Sequence, residues 1–169
     1  MLNDSEQDLL FQLSSKIGEL LTARNQTITA VESCTAGGLA FALTMAPGSS
    51  AWFHRSFVVY TNQAKAELVG VPDELFDSHG AVSIEVATAM SRGAQKAALA
   101  DYSIAITGIA GPGGGSREKP VGTVCFGWAS PEPPVSVEWM RFEGDRQSVR
   151  SQSIYHALSR ILKIIEGLK

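Results

Sequence analysis

The chain has 169 residues, 44% hydrophobic and 18% charged, with a mean hydropathy of +0.05, which suits one packed domain over residues 1–169 and not a disordered tail. A net charge of -3 and a pI near 5.6 argue against a surface built to neutralise a nucleic-acid backbone, and no apolar run reaches the roughly 20 residues of a membrane span. Two cysteines, Cys34 and Cys125, form neither a zinc pattern nor a disulfide framework, and the N-terminus lacks the basic start and unbroken apolar stretch of a signal peptide, so a reducing cytoplasm is expected.

Leu9, Leu10, Leu13, Ile17, Leu20 and Leu21 recur at helical spacing, with residues 3–5 available as caps, and predict an amphipathic first helix. The β-branched segment Thr27–Val31 predicts a strand, and the Ala-, Gly- and Leu-rich stretch from Cys34 to Met45 a helix that Pro47-Gly48 stops. Ser56–Thr61 reads as a second strand, followed by a short helix from Asn62 to Val69 ending at Gly70, then a brief helix or turn over Pro72–His79. Ser83–Ala100 has the start pattern of a longer helix and leads into a strand over Tyr102–Ile106. The glycines of Gly108–Ser116, grouped around Pro112, predict a loop at a strand end. Val121–Ala129 and Val135–Phe142, joined by a short Pro-rich connection, predict an antiparallel pair, and Arg146–Leu168 a closing amphipathic helix with Asp145 as N-cap. Strands alternating with helices and ending in a hairpin predict a three-layer α/β fold with a mixed sheet, whose sites lie beyond the carboxyl ends of parallel strands.

Three segments fall at such ends: Glu32–Thr35, Tyr60–Lys65 and the glycine-rich loop. Ser33 sits where a strand turns into a helix, a position that exposes a hydroxyl beside free helix-start N–H groups, although a plain N-cap serine fits the same place. Of the candidate bases, His54, His79 and His156 are not at strand ends, whereas Lys65 is; a lysine accepts a proton only when desolvation or a neighbouring cation brings its pKa down from about 10.4. Tyr60 is placed to orient or relay that proton, though packing explains it equally well. The loop glycines offer N–H groups to a phosphate without the ending of a P-loop, and Arg146 offers a planar fork to an anion. No His/Cys/carboxylate cluster stands at ligand spacing, so neither metal nor other cofactor is expected.

The segments VESCTAGG (residues 31–38), PGSSAWF (47–53), VVYTNQAK (58–65), HGAVS (79–83), TGIAGPGGG (107–115), KPVGTV (119–124) and FEGDR (142–146), in that order through nearly the whole chain, resemble the CinA C-terminal-domain, or nicotinamide-nucleotide amidase, family. The resemblance implies a mixed, mostly parallel five-stranded sheet of order 2-1-3-4-5 with strand 4 antiparallel. It also implies metal-independent hydrolysis of the carboxamide of nicotinamide mononucleotide to nicotinate mononucleotide and ammonia, in pyridine-nucleotide recycling. By motif, Ser33 resembles the family's nucleophile and Tyr60 and Lys65 its activating pair. N–H groups near Cys34 and Thr35 are expected to hold the oxyanion, and Thr107, Gly108, Gly111 and Arg146 to surround the substrate. Some family members carry an additional N-terminal pyrophosphatase domain, and that second activity is expected to be absent here. Ala36 stands where many relatives have glycine. The expected partner is a small nucleotide, with no nucleic acid and no membrane, and an apolar edge would support a homodimer. The rival readings are a non-catalytic nucleotide-binding or interaction module linked to competence and DNA damage, and a different amide substrate on the same machinery.

Overall fold

The apolar stripe of the first segment winds into α1 (Asp4–Ala23) and buries Leu10, Ile17 and Leu21 in the computed structural model, which describes residues 4–167. Of its expected caps, Asp4 and Ser5 lie inside the first turn and Asn3 lies outside the described residues. β1 (Ile28–Glu32) is buried along its whole length because it lies inside a five-stranded sheet of order β2-β1-β3-β4-β5, with a neighbour on each side. β2 (Phe53–Val58) and β3 (Tyr102–Gly108) flank it in parallel, β4 (Thr123–Ala129) runs antiparallel to β3, and β5 (Ser136–Arg141) runs antiparallel to β4. The sheet is therefore mixed, with β4 the one reversed strand, as the resemblance implied.

Alternation along the strands makes two cores. Ile104, Ile106, Phe126 and Trp128 face α1, α2 (Gly38–Leu43) and α6 (Arg146–Glu166), where Trp128 Nε1 donates to the Ala157 carbonyl at 3.1 Å. Val31 and Ala105 face the other layer, built from α3 (Asn62–Val69), α4 (Asp73–His79) and α5 (Ile84–Ala98). α3 and α5 meet backbone to backbone at Gly93, where a Cβ would stand 1.7 Å from the Val69 carbonyl oxygen.

Two boundaries differ from expectation. α2 begins at Gly38 and not at Cys34, because residues 34–37 form a turn whose N–H groups are not stacked along a helix axis. β2 pairs three residues earlier than Ser56–Thr61: as an edge strand with one neighbour it tolerates exposed His54 and Arg55, and the last bond of the apolar run to β1 is that of Val59 N to the Glu32 carbonyl at 2.7 Å. The remaining ends shift by one or two residues, as helix and strand ends do. Asp145 caps α6 as expected, accepting from Ser148 N at 2.8 Å, and Ser83 caps α5 by accepting from Val86 N at 3.2 Å. The expected helix end at Leu168 lies outside the described residues.

Candidate active site

Parallel register brings the carboxyl ends of β1, β2 and β3 side by side: Glu32 pairs with Val58 on one flank and with Ile106 on the other. The residue after Glu32 is Ser33, whose N–H donates to the Ile106 carbonyl at 2.9 Å, so the serine stays attached to the sheet as the chain turns away. The turn is shaped by Glu32, whose fully buried carboxylate folds back over it. Oε2 accepts from Gly37 N at 3.1 Å and Leu39 N at 2.9 Å, and Oε1 accepts from Ala40 N at 2.9 Å. The N–H groups of Gly37, Leu39 and Ala40 at the start of α2 are thus already engaged. The N–H groups of Cys34 and Thr35, in the turn itself, have no acceptor among the described residues.

Lys65 reaches this turn from the second helical turn of α3, whose start is fixed by Thr61 accepting from Ala64 N at 3.1 Å. Its Nζ is hydrogen-bonded to Ser33 Oγ at 3.3 Å, with 2% of the lysine and 8% of the serine exposed, so the pair is almost wholly withdrawn from solvent. Burial pushes the Lys65 ammonium below its usual range, because no water replaces the hydration it loses. The one opposing influence is a Cys34 thiolate, and burial pushes that thiol up to about 12, so it is protonated and silent near neutral pH. Among the described residues no carboxylate forms an ion pair with Lys65.

None of the three histidines competes for the serine. His156 lies among Phe126, Trp128 and Phe142 with Nε2 3.0 Å from Glu138, His79 pairs with Glu85 at 3.7 Å, and His54 is exposed on β2.

Tyr60 takes a different partner from the one expected of an activating pair. It is half exposed, and its hydroxyl accepts from Arg146 Nη2, while Arg146 Nη1 donates to the Gly111 carbonyl at 2.8 Å. Arg146 thereby clasps the end of β2 to the glycine-rich loop, which meets it through a carbonyl and not through the N–H groups expected to cradle an anion. Thr107 is buried and donates to the Ala81 carbonyl at 2.8 Å, tying the approach to α5 onto the end of β3. Gly108 allows β4 to close in, since a Cβ there would lie 2.9 Å from the Thr123 carbonyl oxygen. A further arginine was not singled out from the sequence: Arg150 Nη2 donates to the Thr35 carbonyl at 2.7 Å across 115 residues, and only tertiary structure reveals it. Glu32 did leave a signal, as a carboxylate ending an apolar strand immediately before Ser33. Among the described residues no group of three or more His, Cys, Asp or Glu side chains is placed to hold a metal ion.

Fold and site together define a three-layer α/β protein with a buried serine–lysine pair at the carboxyl ends of parallel strands. The family model for the CinA C-terminal domain matches residues 10–165, and the chain belongs to that family. It is 49% identical over 160 residues to the nicotinamide-nucleotide amidohydrolase PncC of Escherichia coli (strain K12), covering 95% of each chain. It is 46% identical to the protein of the same name from Pseudomonas putida, over 93% of this chain and 98% of that one. A crystal structure of a competence-damaged protein (CinA) superfamily protein from Escherichia coli superposes with a TM-score of 0.89 at 36% identity, covering 97% of this chain and 94% of that one.

Proposed function

We propose that this chain is an amidohydrolase that converts nicotinamide mononucleotide to nicotinate mononucleotide and ammonia in cytoplasmic pyridine-nucleotide recycling, with Ser33 as nucleophile and Lys65 as base. The observation that carries the proposal is the buried contact between Lys65 Nζ and Ser33 Oγ, in which desolvation favours the neutral amine that a base requires. The names of the relatives supply the substrate.

In the proposed sequence Lys65 takes the Ser33 hydroxyl proton as Oγ bonds to the carboxamide carbon. The oxyanion of the tetrahedral intermediate faces the unpaired N–H groups of Cys34 and Thr35, and one well-placed donor of this kind is worth about 3 kcal/mol in the transition state. The Lys65 ammonium returns its proton to the departing nitrogen as the C–N bond breaks, releasing ammonia and leaving an acyl ester on Ser33. Water then attacks the ester, giving its proton to Lys65, and Ser33 regains that proton as the carboxyl product leaves. Tyr60, committed to Arg146, shapes the substrate's approach and leaves the serine proton to Lys65.

The test is ammonia release from nicotinamide mononucleotide, nicotinamide, glutamine and NAD, with Ser33→Ala as control. Release from the mononucleotide that vanishes in a folded Ser33→Ala variant is expected. Tight binding of the mononucleotide without ammonia release would support the non-catalytic module, and release from another amide alone would replace the substrate.

A further inference from the structure

The motifs at residues 79–83 and 119–124 meet at a cavity of about 430 Å³ that the proposed chemistry does not use. Its floor lies on the face of the sheet that Ala105 turns toward α5: Thr107, Cys125 and Trp139 are cross-strand neighbours on that face, and Thr123 and Arg141 form the next pair. Cys125 is buried, whereas Trp139, one strand further out at the sheet edge, is 59% exposed, and no other ring stacks on its indole among the described residues. Val82 and Ile84, where the chain enters α5, and Pro120, after the glycine-rich loop, supply apolar walls around it. Lys119 is held at the rim, with Nζ donating to the His79 carbonyl at 2.6 Å, which leaves two of its three ammonium hydrogens for another acceptor. Neither Lys119 nor Arg141 has an ion-pair partner among the described residues. Of the two carboxylates on the walls, Glu85 is paired with His79 at 3.7 Å, and Glu118 reaches neither cation. Burial pushes the Cys125 thiol up to about 11, so the floor carries no negative charge near neutral pH.

We infer that this cavity is a second ligand site, for a flat aromatic carboxylate whose ring lies on the Trp139 indole and whose carboxylate pairs with Arg141 and Lys119. The volume is within the range of small-molecule sites, and the lining has their usual form, an apolar and aromatic body with a few polar groups at one end. An exposed indole offers a ring a stacking surface, and a guanidinium fork takes a carboxylate through two parallel bonds. The inference does not depend on the amidase reading. Where that reading holds, the nicotinate ring of the product belongs to this ligand class and the uncharged carboxamide of the substrate does not. The cavity then tells product from substrate at a place on the sheet two strands away from Ser33.

The test titrates nicotinate and nicotinamide, alike in ring and different in charge, into the full chain by calorimetry and by tryptophan fluorescence. Trp52 and Trp128 are buried, so quenching by a ligand reports on Trp139. Nicotinate is expected to bind about tenfold more tightly than nicotinamide and to quench the fluorescence. Trp139→Ala and Arg141→Gln, both at exposed positions that the fold does not need, are each expected to weaken nicotinate about tenfold, while Trp139→Phe keeps the affinity within about threefold and loses the quenching. Equal affinity for the two compounds would overturn the inference. So would nicotinate binding that neither Trp139→Ala nor Arg141→Gln alters, since the ligand would then sit elsewhere, the catalytic pair included. Failure of nicotinate to bind would overturn it as well, and a dimer that Trp139→Ala dissociates would then show that a second copy of the chain covers the indole. If no amide releases ammonia while the expected binding pattern is seen, the amidase reading fails and the second site stands. Ammonia release without that pattern has the opposite meaning.

Discussion

Replacing Glu32 by Gln keeps the size of a buried side chain and removes one acceptor. In the native turn the two carboxylate oxygens take three N–H groups, two on Oε2 and one on Oε1. An amide can offer its oxygen to Gly37 and Leu39, but its NH2 then confronts the Ala40 N–H, so two donors face each other with no water to separate them. Each buried unsatisfied donor costs about 1–3 kcal/mol, and the two remaining bonds lose their charge assistance. The expected destabilisation is about 2–4 kcal/mol, or a fall in Tm of roughly 5–15 °C for a domain of this size. Because the carboxylate shapes the turn on which Ser33 stands, kcat for the amide is expected to fall at least tenfold with KM within about threefold, as for a group that positions the reacting atom. Urea unfolding with an unchanged m-value gives the first number, and steady-state ammonia release below the lowered Tm gives the second. A Glu32→Gln variant within 1 kcal/mol of the parent and fully active would refute the idea that this carboxylate organises the nucleophile.

Ser33→Ala and Lys65→Ala are each expected to lower ammonia release by about 10³-fold or more, with the double variant within about threefold of the worse single, because both serve one proton transfer; additive losses would separate them. Lys65→Met is expected to unfold at higher urea than the parent at pH 7. A lysine whose folded pKa is lowered penalises the fold fully below that pKa, and the penalty fades as pH rises toward the ordinary value of 10.5, so the advantage of Met should shrink by pH 10. A gap that does not change with pH would contradict a depressed Lys65. Ala36 is exposed at φ 50°, in the left-handed region. Ala36→Gly trades about 1 kcal/mol of strain against about 0.5–1 kcal/mol of extra chain entropy, so stability should rise by about 0–0.5 kcal/mol with activity kept; a loss above 1 kcal/mol would show that the side chain matters there.

The strands with β-branched cores and the helices with capped starts were legible because their signals are local. Asp145, Ser83 and Gly70 stand in their sequence where they act in the fold. The start of α2 was not legible, because its cap is a carboxylate that reaches forward five to eight residues from the end of a strand. The beginning of β2 was hidden for another reason: an edge position admits the polar His54 and Arg55 right after Phe53, which an apolar-run criterion passes over. At the site, the motifs VESCTAGG and VVYTNQAK led to Ser33 and Lys65, and the fold brings these two together. The pairing of Tyr60 with Arg146 spans 86 residues and that of Arg150 with Thr35 spans 115, so no spacing rule applies to either.

The backbone contact at Gly93 reaches further than packing. α3 is only eight residues long, yet it holds Lys65 in position because one flank rests on the α5 backbone with no side chain between them. A methyl group at residue 93 would wedge the two helices apart and withdraw the amine from the hydroxyl. A random-mutagenesis screen scored on ammonia should therefore recover inactive clones at this glycine in which every reacting group is intact. Transplanting Ser33 and Lys65 into another α/β scaffold would reproduce their contact only if the glycine that seats the helix were transplanted with them.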